Sequence, residues 1–165
     1  MSDEFVQQWH EAVEQRVNAA AALTGVTSHQ KFQSPADSYS AMIYTLGHLE
    51  RMTGILAELM EMKSRASRML AAREATRDDA WNKAATAPAI SFSQSDPAPR
   101  ERYAKYALET MPQERKVREA KQLLSFVDEG LDIVKQRYWY LEKLHRDLEI
   151  GIRVGLWESK GDMNA

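Results

Sequence analysis

The chain has no cysteine, five prolines and seven glycines in 165 residues. Without cysteine there is no disulfide framework, thiolate zinc site or thiol nucleophile, and the absence fits a reducing compartment, so cytoplasm is the expected location (host-cell cytoplasm if the chain is phage-encoded). No apolar run approaches the roughly 18 residues of a membrane span. The opening Met1-Ser2-Asp3-Glu4 is acidic and unlike a secretory leader, so neither a leader nor a membrane partner is expected. Enzyme signatures are lacking too: there is no glycine-rich phosphate loop, no G-x-S-x-G elbow and no H-E-x-x-H. Glu142 and His145 form one E-x-x-H, half of what a di-iron carboxylate bundle uses, but Gln7, Val26 and Thr45 stand where the other histidines would need Glu. The expectation is a protein that is not an enzyme and has no cofactor or resident metal, with His145 a polar residue at a packing position.

What the chain has in quantity is Ala, Glu, Leu, Met, Arg and Lys, the composition of long helices. Its charge is unevenly placed. Residues 1–62 carry 3 basic and 8 acidic side chains, residues 63–121 carry 13 and 8, and residues 122–165 carry 6 and 8. The net values are −5, +5 and −2, so a basic middle lies between acidic ends, a pattern compatible with a polyanion-binding face or with a solvated helix surface.

Apolar residues at Phe5, Trp9, Val13 and Val17, then Ala19 to Ala22, mark an amphipathic helix that stops at Thr24-Gly25. Thr27 to Gln33 reads as a loop. Ser34-Pro35-Ala36-Asp37 is a helix start, and no proline follows until Pro88, which predicts one helix over about 35–83, some 70 Å long at about 1.5 Å per residue. Residues 84–99 hold three prolines and no sustained period, a flexible loop between segments 1–83 and 100–165 of one domain. Asp96-Pro97 can cap a short helix, Ala98 to Glu109. Thr110-Met111-Pro112 either ends it or starts the next, expected over about 112–152, and Gly151 to Ala165 is expected to fray. The expected fold is all-α: two long helices, an N-terminal helix and a short helix, in a helical hairpin or bundle.

Two patterns carry the functional reading. Lys63, Arg65, Arg68, Arg73 and Arg77 cluster toward the end of the long helix, with Trp81 and Phe92 nearby, and Lys116 and Arg118 open the last helix with Arg115 and Lys121. Cations follow phosphates and rings offer stacking faces, which suits single-stranded nucleic acid; cations near a helix C-terminus also interact well with its dipole. The second pattern is a heptad seam: Val117, Ala120, Leu124, Val127, Leu131, Val134, Tyr138, Leu141, His145, Leu148 and Ile152, at alternating steps of three and four. Its partner is either the long helix of the same chain or a second copy. Phe126, Ile133, Trp139, Tyr140, Leu144 and Ile150 lie off the seam, and extra apolar faces need extra partners. Homo-oligomerisation through Leu124, Val127, Leu131, Val134, Tyr138, Leu141, Leu148 and Ile152 is the expectation.

Lys63-Ser64-Arg65 at the end of a long helix, a polar loop, Arg102-Tyr103-Ala104-Lys105, and Leu131-Asp132-Ile133-Val134-Lys135-Gln136-Arg137 on a C-terminal helix follow one another in that order. Over about residues 37–151 the chain resembles the UvsY-type recombination mediators of tailed bacteriophages. It departs from their pattern in the extra helix Phe5 to Leu23 and in Tyr138, where the family tends to place Gly. The resemblance implies a small all-helical protein that forms a ring through its C-terminal helices, a heptamer being one of the orders open. It also implies binding of single-stranded DNA and help in loading a RecA-like recombinase onto DNA coated by single-strand DNA-binding protein. Lys63 and Arg65 match the family's DNA-binding pair; Lys135 and Arg137 match a helix motif only.

Overall fold

The computed structural model describes residues 3–23, 35–86 and 98–161. They form three helices, α1 (Asp3–Ala22), α2 (Pro35–Thr86) and α3 (Ala98–Gly161), and the fold is all-α. Most of the expected loop, the Ser34 cap and Gly25 lie outside the described residues.

Two expectations are corrected. The short helix and the last long helix are a single element, because α3 runs through Pro112. Proline removes one N–H and crowds the carbonyl four residues back, at a cost of about 3 kcal/mol, yet its fixed φ is itself helical. Thr110 and Val117, both buried, anchor the helix on either side of the exposed Pro112. The helix also continues past Gly151 and Gly155 to Gly161, where fraying was expected. Two glycines lower the propensity without blocking a helical backbone. Likewise α2 extends to Thr86, three residues beyond its expected end.

The chain divides into two compact units, and each draws on all three helices. Unit 1 comprises residues 1–10 and 62–128; unit 2 comprises residues 11–61 and 129–165. In unit 1, Lys63 pairs with Asp128 and Glu74 with Lys121, so α2 and α3 run antiparallel. His10 stacks on Phe126 with ring centroids 4.3 Å apart. In unit 2, Ala41 packs with Leu144 and Leu148, again antiparallel. There α1 runs parallel to α3: Val13 and Val17 face Gly130, and Arg137 donates to the carbonyl of Ala21 at 2.9 Å. Arg16 ties α1 to α2 through Glu58. Its Nε lies 2.8 Å from Oε2 but off the N–H axis, an ion pair rather than a hydrogen bond.

Each unit's core is a helical seam. Unit 2 buries Ala41, Thr45, His48, Leu49, Met52 and Leu59 of α2 against Leu131, Val134, Leu141, Leu144 and Leu148 of α3, with Val13 and Ala20 of α1. The Thr45 hydroxyl donates to the Ala41 carbonyl at 2.8 Å, so it enters the core satisfied. Unit 1 buries Ala66 of α2 and Val117, Ala120, Leu123 and Val127 of α3.

The seam read from sequence is therefore filled within the chain. Val127, Leu131, Val134, Leu141 and Leu148 are covered by this chain's own helices, while Leu124, Tyr138 and Ile152 are half-buried at its margin. The five covered side chains cannot meet a second copy without opening the fold, so this seam does not serve as an intermolecular surface in this structure. Leu123 is more deeply buried than Leu124. Leu144, expected off the seam, is buried, and His145 is half-buried. The reason is that α3 contacts both α1 and α2, and its buried arc is wider than the stripe a single partner covers. Ile133, Trp139, Tyr140 and Ile150 do stay exposed, as expected.

Candidate nucleic-acid interface

The cations expected to contact nucleic acid all lie in unit 1, on α2 from Lys63 to Arg77 and on α3 at Lys116 and Arg118, whereas Lys135 and Arg137 lie in unit 2. They do not form one face. At about 100° per residue, positions three or four apart share a side of a helix and positions two apart do not. Arg65 and Arg68 are exposed together on α2, on the side away from buried Ala66. Arg73 and Arg77, one turn apart, are half-buried and continue the inner seam. Lys116 is half-buried on α3, and Arg118, two positions on, is exposed on the opposite side.

Acidic side chains engage several of these cations. Lys63 Nζ lies 2.7 Å from Asp128 Oδ1, with both side chains nearly half exposed. Arg77 donates from Nε and Nη2 to Asp78 Oδ1 at 3.0 and 2.7 Å. That hydrogen bond, followed by the charges of Asp78, Glu74 and Glu114 and opposed by desolvation, raises the guanidinium's pKa above its ordinary value. It is a permanent cation. Lys121 reaches Glu74 at 3.5 Å, and Arg115 Nε meets Glu119 at 3.0 Å within α3. Arg68 donates to the Ser64 carbonyl at 3.4 Å, a long contact that leaves most of its guanidinium toward solvent. Exposed pairs of this kind contribute about 0–1 kcal/mol, so a phosphate can replace a carboxylate at small cost.

Trp81 is 45% exposed and lines an open cleft of about 470 Å³ with Arg77, Asp78, Asn82 and Glu114. An aromatic face beside an arginine and an amide can seat a planar group, although two carboxylates also border the cleft. Phe92 lies outside the described residues. Glu142, of the E-x-x-H fragment, pairs with Arg146 at 3.5 Å. Among the described residues there is no group of three or more His, Cys, Asp or Glu side chains that could hold a metal ion. No described helix is long and apolar enough to cross a membrane.

Sequence reasoning read Glu114 only as an i,i+4 partner of Arg118 in a solvated face, and overlooked Asp128 and Glu74, which pair with Lys63 and Lys121. Their signal is present only as the antiparallel pairing of α2 with α3, which brings together side chains 47 and 65 positions apart. No family model, curated protein or solved structure matches the chain.

Proposed function

We propose that the protein is a non-enzymatic, self-associating helical protein that binds single-stranded DNA and acts as a recombination mediator, helping to load a RecA-like recombinase onto DNA coated by single-strand DNA-binding protein. The observation that carries this reading is the folding of the basic middle of the chain onto itself. The second half of α2 and the first half of α3 lie antiparallel in unit 1, so the described cations of the basic middle, Lys63 to Lys83 on α2 and Arg115 to Lys121 on α3, belong to one body. Lys63, Arg65, Arg68 and Arg118 offer exposed cations on it, with Arg73, Arg77 and Lys116 as nearer-core contacts. The resemblance in Lys63-Ser64-Arg65, Arg102-Tyr103-Ala104-Lys105 and Leu131 to Arg137 supports the mediator role. Self-association multiplies modest sites along one strand, because each further contact acts at high effective concentration.

Replacing Lys63 and Arg65 together by Ala tests the assignment. Binding to a single-stranded oligonucleotide weakens and its salt slope flattens by about 0.7 per lost contact, while helicity and oligomer mass stay unchanged. Unchanged affinity would remove these two residues from the interface. A second reading rests on the pairing of Lys63, Arg77 and Lys121 with Asp128, Asp78 and Glu74: a phage assembly or structural protein whose cations are used within the fold. It predicts self-association with no response to DNA at any salt concentration.

A further inference from the structure

The first half of α2 carries two heptad seams on opposite faces. The inner one, Ala41, Thr45, His48, Met52, Ile55 and Leu59, faces the core of unit 2. The outer one, Tyr39, Ile43, Leu46, Glu50, Thr53, Ala57 and Met60, also steps by four and three, and every member is exposed. Between Asp37 and Glu50 the helix has no Asp, Glu, Lys or Arg, so its solvent side lacks the charged residues that a surface helix ordinarily presents. Gly47 and Gly54 border the outer seam, and nothing lies within 4 Å of the positions their Cβ atoms would take. The neighbouring backbone is therefore open to close approach.

Tyr39, Ile43, Leu46 and Met60 are each about half exposed. With the small residues between them they present on the order of 500 Å², the upper end of what a lone soluble chain leaves uncovered. Doubled across a two-fold axis, that is on the order of 1,000 Å², about what a specific interface requires.

We infer that this outer face of α2 is a self-association surface, and that its occupant is the same face of a second copy packed antiparallel. The seam complements itself in that orientation. Tyr39 meets the second copy's Met60, Ile43 meets its Ala57 and Leu46 meets its Thr53, so large side chains fall on small or flexible ones. Glu50, the only charge in the seam, falls near the axis beside the second copy's Arg51, and the reciprocal pair forms across the axis. Parallel pairing would instead stack Tyr39 on Tyr39, Ile43 on Ile43 and Leu46 on Leu46, large side chain on large, whereas Glu50 lies near its own counterpart in either orientation. The inference rests on the self-association part of the proposed function and is independent of nucleic acid.

The test combines mass measurement by light scattering with cysteine cross-linking, which the cysteine-free chain permits without background. At tens of micromolar, the wild type has a mass that is an even multiple of 18.8 kDa. Ile43→Asp with Leu46→Asp lowers the association constant by about 100-fold with helicity retained, since both side chains are exposed. Under mild oxidation Glu50→Cys forms a covalent dimer, Tyr39→Cys alone does not, and Tyr39→Cys with Met60→Cys does. A wild type of protomer mass overturns both the inference and the self-association reading. A wild-type oligomer whose mass survives the double substitution overturns the inference alone, and so does efficient cross-linking of Tyr39→Cys by itself. Oligonucleotide binding by the dissociated variant reports separately on the nucleic-acid reading.

Discussion

The two units are made from successive stretches of the same helices, yet they use them differently. Along α2 the inner seam of unit 2 is Ala41, Thr45, His48, Met52, Ile55 and Leu59, whereas in unit 1 it passes through Met62 and Ala66 and then becomes Arg73 and Arg77. The outer surface changes in the opposite sense: Tyr39, Ile43 and Leu46 in unit 2 give way to Arg65 and Arg68 in unit 1. Unit 2 thus has apolar surface beyond what its own core uses, and unit 1 has cations beyond what its acids neutralise. One helix-forming pattern supports both because α-helix formation depends on the period of the inner seam and on side-chain propensity, and leaves the outer face free to vary.

Cavity formation in the apolar seam of unit 2 gives the largest expected effect. Leu131→Ala, at a side chain 2% exposed, lowers the unfolding free energy by about 2–5 kcal/mol in urea titration. Arg73→Ala in the polar part of the unit 1 seam costs under about 1 kcal/mol by the same measurement, because no apolar cavity opens there. Equal losses at the two sites would erase the contrast between the seams.

The glycines sharpen it. A Cβ at Gly130 would lie 2.9 Å from Val13 Cγ1 and 3.4 Å from Val17 Cγ2. Val13 is buried and β-branched, so it cannot swing away; Gly130→Ala destabilises by about 1–2 kcal/mol, overpacking outweighing the gain in helix propensity. Gly151→Ala meets nothing within 4 Å and raises stability by up to about 1 kcal/mol. Thermal melts of the two variants should move in opposite directions.

In unit 1 the acids are the lever. Asp128→Asn releases Lys63 from a contact 2.7 Å long and is expected to raise affinity for single-stranded DNA a few-fold at low salt, with little change in stability. Glu58→Gln, removing the charge that faces Arg16 in unit 2, changes stability by less than about 1 kcal/mol and leaves DNA affinity unaltered. If the two substitutions altered binding alike, the assignment of the basic surface to unit 1 would fail.

Much of the fold was legible in the sequence. The amphipathic period of Phe5 to Val17, the Pro35 start of α2 and the steps from Val117 to Leu148 locate the helices and most of their buried faces. Pro112 misled in one direction, since a single proline's local penalty is outweighed by the packing of Thr110 and Val117. The displacement from Leu124 to Leu123 and from His145 to Leu144 was not legible, because a heptad pattern reports one contact direction and α3 has two partners. In the candidate site, residue types and their place along the chain were readable. Their sharing among different faces, and their engagement by Asp128 and Glu74, depend on antiparallel register, which local sequence does not encode.

The central claim, that unit 1 is a surface for single-stranded DNA, is tested most directly by fluorescence-anisotropy titration of a labelled single-stranded oligonucleotide at two salt concentrations, with duplex of equal length as competitor. The account predicts saturable binding that weakens steeply with salt and is displaced poorly by the duplex. Absence of binding at low salt, or equal displacement by duplex, would contradict it.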